Sequence, residues 1–255
     1  MDNDEKLFDE SMCSYCGAGA GLTFDFTFAF QPIVDAQNRQ VRAYEALVRG
    51  VNGEGAGQIL SKVDNSTMYR FDQACRVKAV RLAAQLEMET QLSINFIPNA
   101  VYQAETCIRT TLAAARQYEF DTNKLVFEFT EVENLATTEH LLSIMEAYKE
   151  MGFSIAVDDY GAGYSRLNLL TDANPQYLKL DMALIRDIQL YPRKQAVIEG
   201  TLVTMSRLGI DTIAEGIETE EEYRWCRDQG IRFFQGYLLA RPGFECLPEP
   251  YIPIT

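Results

Sequence analysis

The sequence contains a single histidine, His140, in a chain of 255 residues. It stands in a polar Thr-Thr-Glu-His segment that is typical of the first turn of a helix, where we expect it to be solvated. Catalytic triads built on histidine and zinc sites built on several histidines are therefore excluded. Any bound metal would be held mostly by oxygen, which favours Mg²⁺ or Mn²⁺.

Basic residues and long hydrophobic runs are also scarce. Lys and Arg total 23 against 37 Asp and Glu, so the net charge is −14 and a basic surface for polymeric nucleic acid is not expected. No apolar run is long enough to span a bilayer. The acidic opening at residues 1–5 is not followed by the apolar core of a signal peptide. We expect a cytoplasmic protein with reduced thiols and no membrane contact.

Cysteine is present but sparsely grouped, and of the six cysteines only Cys13 and Cys16 form a close pair. A zinc site would need two further ligands and a redox site would need a thioredoxin-like context, and neither is evident. Residues 1–22 are polar and then rich in Gly and Ala, which predicts a loosely packed N-terminal extension. No linker follows, so one domain is predicted over residues 23–255.

Strand-like segments alternate with helical ones along this domain. Three helices end at Gly152, Gly209 and Gly230, and each glycine is followed at once by a strand. This repeated unit is typical of parallel βα construction. The segment Thr219 to Glu222 predicts a capping box that starts the last of these helices. The predicted strands are 23–33, 40–49, 91–96, 124–130, 154–159, 177–181, 210–215 and 232–239. Eight such strands predict an α/β fold of the TIM type, a (β/α)₈ barrel.

The first two predicted strands depart from a standard barrel. Residues 34–39 are the only connection between them, and they are too few for a crossover helix. The sequence therefore predicts a modified barrel in which the first strand runs antiparallel to the second.

Polar residues stand at or near the ends of most of these strands, where barrel enzymes place their active sites. They are Glu45, Asn95, Glu128, Asp158, Asp159, Lys179, Glu215 and Gln235. Several carboxylates cannot all be ionised close together without cations between them. The pattern predicts a metal site with an enzyme around it.

Each motif also has a structural alternative. Glu45 could be a strand-end residue in a buried ion pair, and Asp158-Asp159 could cap a helix before a glycine loop. Lys179, which shares a strand face with Tyr177 and Asp181, could extend its stem along the core while its charge reaches solvent.

Seven short segments are each a weak signal alone, but their occurrence in this order is specific for a protein family. They are "YEALVRG", "SINF", "FEFTE", "DDYGAGYS", "YLKLD", "IAEGIET" and "FQGYLLARP". In order and spacing they resemble the EAL domain family of cyclic di-GMP phosphodiesterases, over nearly all of residues 23–245. The resemblance implies a modified TIM-like barrel with an antiparallel first strand. It also implies hydrolysis of cyclic di-GMP to linear 5′-pGpG with two Mg²⁺ or Mn²⁺ ions, lowering a bacterial second messenger, and a homodimer.

The resemblance also implies roles for individual residues. The implied metal ligands are Glu45, Asn95, Glu128, Asp158, Asp159 and Glu215, with Asp158 shared between the two ions. The implied catalytic residues are Glu45, Lys179 and Glu215, the last two positioning or activating the attacking water. The implied substrate-binding residues are Gln31, Leu47, Arg49, Asp181 and Gln235, of which Gln235 also binds a water in the site. The implied supporting residues are Glu131, Glu218, Gly161 and Gly163, with Glu218 steadying Lys179 and Glu131 bracing the loop Asp159–Ser165.

Departures from the family pattern are small. Tyr160 stands where phenylalanine is common, and "SINFIP" replaces a commoner serine-rich ending but keeps Asn95. No implied catalytic position is lost. Two rival functions remain: a catalytically silent EAL module that binds the nucleotide or a protein partner, and an unrelated metal-dependent barrel lyase. The lyase does not account for the "AEGIET" and "QGY" segments.

Overall fold

The computed structural model describes residues 21–97, 101, 104–130, 138–162 and 167–254. Most of the predicted extension lies outside these ranges, with Cys13 and Cys16 in it, and so do Glu131 and Gly163. The roles expected of those residues therefore stay predictions. No helix in the described ranges is long and apolar enough to cross a membrane.

Nine strands in the described ranges form one sheet that closes on itself. Their order is β2-β3-β4-β5-β6-β7-β8-β1-β9, and an additional β1–β2 pairing completes an eight-stranded barrel. The strands are β1 Thr27–Asp35, β2 Gln40–Arg49, β3 Gln91–Asn95, β4 Leu125–Thr130, β5 Ser154–Tyr160, β6 Tyr177–Leu180, β7 Asp211–Ala214, β8 Phe233–Phe234 and β9 Gly243–Phe244. Pairings from β2 through β8 are parallel, which confirms the predicted barrel.

Helices lie between most of the strands and cover the outside of the barrel. They are α1 Ala56–Leu60, α2 Met68–Gln85, α3 Ala104–Cys107, α4 Arg109–Gln117, α5 Thr138–Glu150, α6 Leu167–Ala173, α7 Met182–Ile185, α8 Pro192–Leu208 and α9 Glu220–Asp228. A large buried apolar cluster fills the space between these helices and the strands. The chain thus has the layered core of a (β/α)₈ barrel.

The first two strands form the predicted antiparallel hairpin, with Gln31 opposite Glu45 in the register. The connecting turn is stabilised by Asp35, whose Oδ1 accepts hydrogen bonds from the backbone N–H groups of Gln37 at 3.0 Å and Asn38 at 3.1 Å. An aspartate that bonds its own following backbone in this way favours a tight turn. The short connection therefore reverses the chain and leaves β1 antiparallel to its neighbours.

Helix ends follow the predicted signals. Thr219 and Glu222 form a reciprocal capping box at the start of α9. Gly209 ends α8 in the left-handed conformation, with φ +72°. These local signals fix where each helix stops and the next strand begins.

Two strands differ from their predicted boundaries by more than two residues. The last barrel strand was expected over 232–239, but the ladder includes only Phe233–Phe234. Gly236 explains the early end, because a Cβ there would lie 2.1 Å from the carbonyl oxygen of Ile217, so the chain leaves the sheet as it packs on that backbone. The first strand begins at Thr27 instead of residue 23, and β9, which pairs with β1, was not predicted.

Side chains inside the barrel form two layers. The apolar layer consists of Ile33, Ala43, Val126, Ala156, Tyr177, Ile213 and Phe233. At its base the hydroxyl of Tyr177 accepts a hydrogen bond from Arg42 at 2.9 Å and donates one to Gln91 at 3.1 Å. The polar layer lies two residues away from the apolar layer along the strands. It consists of Gln31, Glu45, Ser93, Glu128, Asp158, Lys179, Glu215 and Gln235. The polar layer faces the carboxyl ends of the parallel strands.

Candidate active site

Strand periodicity brings the predicted polar residues to one place. Because side chains two residues apart share a strand face, the polar-layer residues point into the barrel, and all of them except Ser93, which follows Gln91, lie next to a residue of the apolar layer. Glu45 is 5% exposed, Glu128 0%, Asp158 7% and Lys179 1%. Charged groups buried to this extent are strongly unfavourable unless they are paired.

Lys179 provides that pairing. Its Nζ lies 2.8 Å from Glu128 Oε2, 2.7 Å from Glu215 Oε1, 3.2 Å from Glu45 Oε2 and 3.2 Å from Asp158 Oδ1. The ammonium therefore sits among four carboxylates contributed by β2, β4, β5 and the end of β7. The alternative of a Lys179 that reaches solvent at the strand end is excluded by its burial.

The charges perturb one another strongly. Burial alone would lower the pKa of Lys179, but the surrounding carboxylates, Asp158 foremost, hold it well above its ordinary value. Burial alone would raise the pKa of Glu45, but Lys179 and hydrogen bonds from Gln235 and Asn95 hold it below its ordinary value. Both groups are therefore charged at neutral pH.

For Glu128 and Glu215, the positive charge of Lys179 does not fully offset the effect of burial and of the neighbouring negative charges on the pKa. Burial, followed by the charge of Glu45, raises the pKa of Glu128 to about 8. Burial, together with the charges of Asp158 and Glu45, raises the pKa of Glu215 well above its ordinary value in spite of Lys179. One ammonium cannot neutralise four ionised carboxylates. The remaining negative charge favours the binding of further cations in the site.

Two groups of carboxylates have the geometry of metal sites. Glu45, Glu128 and Asp158 form the first cluster, and Asp158, Asp159 and Glu215 form the second; within each, one oxygen per residue lies within 4.8 Å of the others. Asp158 belongs to both, as expected of a bridging ligand. The donor set is entirely oxygen, so its chemistry fits Mg²⁺ or Mn²⁺.

Asn95 lies beside the first cluster, since its Nδ2 donates a hydrogen bond to Glu45 Oε1 at 2.8 Å. It stands at the end of β3, where the register pairs it with Glu128. The six residues expected to bind metal are thus gathered in one region of the structure.

The backbone after Asp158 is bent to present a second acid. Asp159 has a positive φ of 56°, and its N–H bonds to Asp158 Oδ1 at 2.8 Å. Burial and the Asp158 charge raise the pKa of Asp159 to about 6. Gly161 follows with φ +97°, and a Cβ there would lie 2.3 Å from Leu184 Cδ1. A side chain at Gly161 would displace the Leu184 side chain and would be strained at this positive φ. The supporting role of Gly161 stays a prediction.

A cleft of about 260 Å³ opens above the second cluster. Its walls include the predicted residues Gln31, Glu45, Asp159, Asp181, Glu215, Glu218 and Gln235, together with Met182, Gly216, Gly236 and Tyr237. The cleft therefore gives a ligand direct access to the carboxylates.

Two glutamines line the deep side of this cleft. Gln31 Nε2 donates to the carbonyl oxygen of Ala240 at 3.1 Å, and Gln235 Nε2 donates to Glu45 Oε2 at 2.8 Å. Among the described residues, Gln235 Oε1 is buried without a hydrogen-bond partner. A buried acceptor without a partner favours a bound donor such as water, which fits the role expected of Gln235.

Leu47 and Arg49 are placed differently from the other expected substrate residues. Neither lines the cleft. Leu47 lines a neighbouring cavity of about 290 Å³ that also contacts Asn95. Arg49 is half-buried, and its Nη1 donates to the carbonyl oxygen of Val48 at 2.7 Å.

Glu218 does not hold Lys179 as expected. It forms an ion pair with Arg186 at 2.7 Å. The reason is Glu222, whose carboxylate accepts hydrogen bonds from the N–H groups of Glu218 and Asp187, both at 2.9 Å. This buried carboxylate ties the loop after β7 to the segment after α7 and turns Glu218 toward Arg186.

Sequence reasoning missed Ser93 and the second role of Glu222. Ser93 alternates with Asn95 on β3, so its inward direction could have been inferred from period two. The capping box identified Glu222, but only the fold shows that the same carboxylate also binds the N–H of Asp187.

The sequence of this chain is similar to a known domain family and to proteins of known name. The family model described as "EAL domain" matches residues 22–242. The probable cyclic di-GMP phosphodiesterase PdeN of Escherichia coli K12 is 30% identical over 245 residues, covering 89% of this chain and 46% of PdeN. The chain thus spans about half the length of this curated relative.

The solved structures that superpose on the barrel include the following two. The c-di-GMP-bound form of a standalone versatile EAL protein from Vibrio cholerae O395 has a TM-score of 0.88 and 48% identity, with 91% of this chain and 98% of that chain covered. A manganese and cyclic di-GMP complex of Klebsiella pneumoniae BlrP1 at pH 9.0 has a TM-score of 0.82 and 33% identity, covering 89% of this chain and 59% of that chain.

Proposed function

The chain belongs to the EAL domain family, and on that premise we propose that it is a phosphodiesterase that hydrolyses cyclic di-GMP to linear 5′-pGpG with Mg²⁺ or Mn²⁺. Such an activity would lower the level of a bacterial second messenger. The observation that carries the proposal is the pair of carboxylate clusters that share Asp158. Three of their members, Glu45, Asp159 and Glu215, line an open cleft. The c-di-GMP-bound V. cholerae structure and the manganese and cyclic di-GMP complex of BlrP1 support the same substrate.

The proposed ligands follow from the geometry. The first cluster, with Asn95 beside it, would hold one cation, and Asp158, Asp159 and Glu215 would hold the other. Divalent cations bound there would lower the pKa of a water and offset the negative charge of the phosphodiester.

Glu215 and Lys179 would handle the proton and the orientation of the nucleophile. Glu215 lines the cleft and contacts Lys179 at 2.7 Å, so its carboxylate would accept the proton of the attacking water. Lys179 would stay protonated and hold that carboxylate in place. The water oxygen would bond to phosphorus in line with the departing 3′-oxygen, and the phosphorus–O3′ bond would break. The 3′-oxygen would leave with the bonding electron pair and take up a proton from solvent, which gives the free 3′-hydroxyl of 5′-pGpG.

Substrate binding is proposed for Gln31, Asp181 and Gln235, which line the cleft. Contact of Leu47 and Arg49 with the substrate stays a prediction, as do the cytoplasmic location, the homodimer and the bracing role of Glu131. A net charge of −14 would repel the dianionic substrate, so we expect the local cations to dominate the field at the cleft.

The competing function is a silent EAL module that binds the nucleotide without cleaving it. Loss of a metal-binding acid would favour that function, but both clusters are complete in this chain. A mass-resolved turnover assay with metal-stripped protein separates the two. We expect 5′-pGpG to form after Mg²⁺ or Mn²⁺ is restored and none to form with a chelator. Binding of cyclic di-GMP without product at saturating cation would support the silent module instead.

A further inference from the structure

Ser93 belongs to the polar layer but has no role in the proposed chemistry. It lies on β3, is 1% exposed, and is paired in the register with Glu45 on β2. Its hydroxyl donates a hydrogen bond to Oε1 of Glu128. We propose that Ser93 is a positioning residue that orients Glu128 for the first cation, an inference that rests on the proposed function of this site.

The orientation of Glu128 is set by two different donors. Ser93 occupies Oε1, and the Lys179 ammonium lies 2.8 Å from Oε2. Because a carboxylate is planar, fixing both oxygens fixes its rotation about the last side-chain bond. Oε2 is thereby held on the side of Lys179, where Glu45 and Asp158 also present their oxygens.

Loss of the hydroxyl would leave Oε1 of Glu128 without its donor. Glu128 is fully buried, so that oxygen has no bulk water to replace the hydrogen bond. The carboxylate would then rotate toward other donors, and the first cluster would lose its alignment. Groups that orient a metal ligand in this way typically change metal affinity by about 10- to 100-fold when they are removed.

Within the described ranges, the hydrogen bond of Ser93 goes to Glu128, which belongs to the first cluster and not to the second. Glu128 belongs to the first cluster, whereas the second is formed by Asp158, Asp159 and Glu215. The proposal therefore predicts a selective effect, in which one cation binds more weakly and the other is unaffected. General damage to the fold would weaken both.

The test compares Ser93→Thr with Ser93→Val. The two substitutions add nearly the same volume at the same buried position and differ in one hydroxyl. Metal-stripped proteins are titrated with Mn²⁺ alone, by calorimetry and by the electron paramagnetic resonance of free Mn²⁺. We expect the Val variant to bind one Mn²⁺ about 10- to 100-fold more weakly than the Thr variant, with the other site equal in both. Raising the Mn²⁺ concentration should bring turnover of the Val variant toward that of the Thr variant.

Equal Mn²⁺ binding by the two variants, with similar thermal unfolding, would overturn the proposal. If the Val variant does not fold, Ser93→Ala compared with the unsubstituted chain decides the question, and unchanged affinity there also overturns it. The readout is cation binding, so it is separate from the reaction: an unsubstituted chain that binds Mn²⁺ but forms no 5′-pGpG refutes the proposed function alone. An unsubstituted chain that binds no Mn²⁺ refutes both.

Discussion

The apolar layer and the polar layer lie two residues apart on the same strands, yet they have opposite chemistry. Ile213 and Glu215 show the contrast on a single chain segment: the first is packed among apolar side chains and the second contacts the Lys179 ammonium. Burying the apolar layer stabilises the fold by about 25 cal/mol for each Å² removed from water. Burying four carboxylates around one ammonium opposes folding unless cations complete the balance. Residues that stabilise the barrel and residues that form its reactive site thus lie only two positions apart on the same strands.

The largest expected effect is on turnover, from Glu215→Gln. The amide keeps the size of the side chain but accepts a proton poorly and ligates cations weakly. General-base help is typically worth about 10²–10⁴-fold, so single-turnover hydrolysis at saturating Mg²⁺ should fall by at least the lower figure. Cyclic di-GMP affinity, measured separately, should stay similar or tighten, since one negative charge is removed. Near-normal turnover would remove Glu215 from the proposed mechanism.

Ile213→Ala should lower the stability of the fold and leave turnover nearly unchanged. Ile213 is 3% exposed in the apolar layer, and truncating a buried isoleucine typically costs about 2–5 kcal/mol of unfolding free energy. Urea unfolding should show this loss, while turnover per folded molecule stays near that of the unsubstituted chain. A variant that keeps its stability but loses turnover would show that the two layers are not functionally separate.

The pH dependence of the cation-free protein offers a third comparison. Burial raises the pKa of Glu128 to about 8, from an ordinary value of 4.5, so the folded state binds the proton more tightly than the unfolded chain. Stability should therefore fall as pH rises from about 4.5 to 8, because the folded state loses a proton that it binds more tightly than the unfolded chain does. The raised pKa values of Asp159 and Glu215 act in the same direction, and the lowered pKa of Glu45 opposes them.

Urea unfolding of the cation-free chain across that pH range measures this effect. Glu128→Gln should flatten the dependence, and saturating Mn²⁺ should reverse its sign, because cations bind the ionised carboxylates. Stability of the cation-free chain that rises with pH over this window would contradict the charge balance described for the polar layer.

The smallest expected effect lies outside both layers, at the N-terminus of α9. Thr219→Ala removes the hydroxyl that accepts the N–H of Glu222 at 3.2 Å, and lost N-caps typically cost about 1 kcal/mol. Thr204→Ala, at an exposed position within α8, is the matched control and should change stability little. The midpoints of thermal unfolding of the two variants are compared. Equal midpoints would show that the Thr219 cap does not stabilise the fold.

Much of this architecture could be predicted from the sequence because its signals are local. Alternation along "DTIAEG" places Ile213 and Glu215 on one strand face, and the capping box of Thr219 with Glu222 starts α9. The predicted antiparallel hairpin was confirmed for a similar reason, since six residues cannot form a crossover. Each of these inferences needs only a few neighbouring residues.

What the sequence could not supply depends on how neighbouring strands are staggered. Period two gives the face of a strand but not its depth in the barrel, so the four partners of Lys179 could not be deduced from alternation. The pairing of Glu218 with Arg186 depends on a bond between two loops through Glu222. The early end of β8 depends on the close approach of Gly236 to the Ile217 backbone. These features appear only once the barrel has closed.

The central claim is that turnover requires both carboxylate clusters of the polar layer to hold a cation. The most direct measurement follows hydrolysis of cyclic di-GMP while metal-stripped protein is titrated with Mn²⁺ and the bound ions are counted. The account predicts no product in chelator and full rate only when two ions are bound per chain. Full rate in chelator, or a rate that saturates after one bound ion, would contradict it.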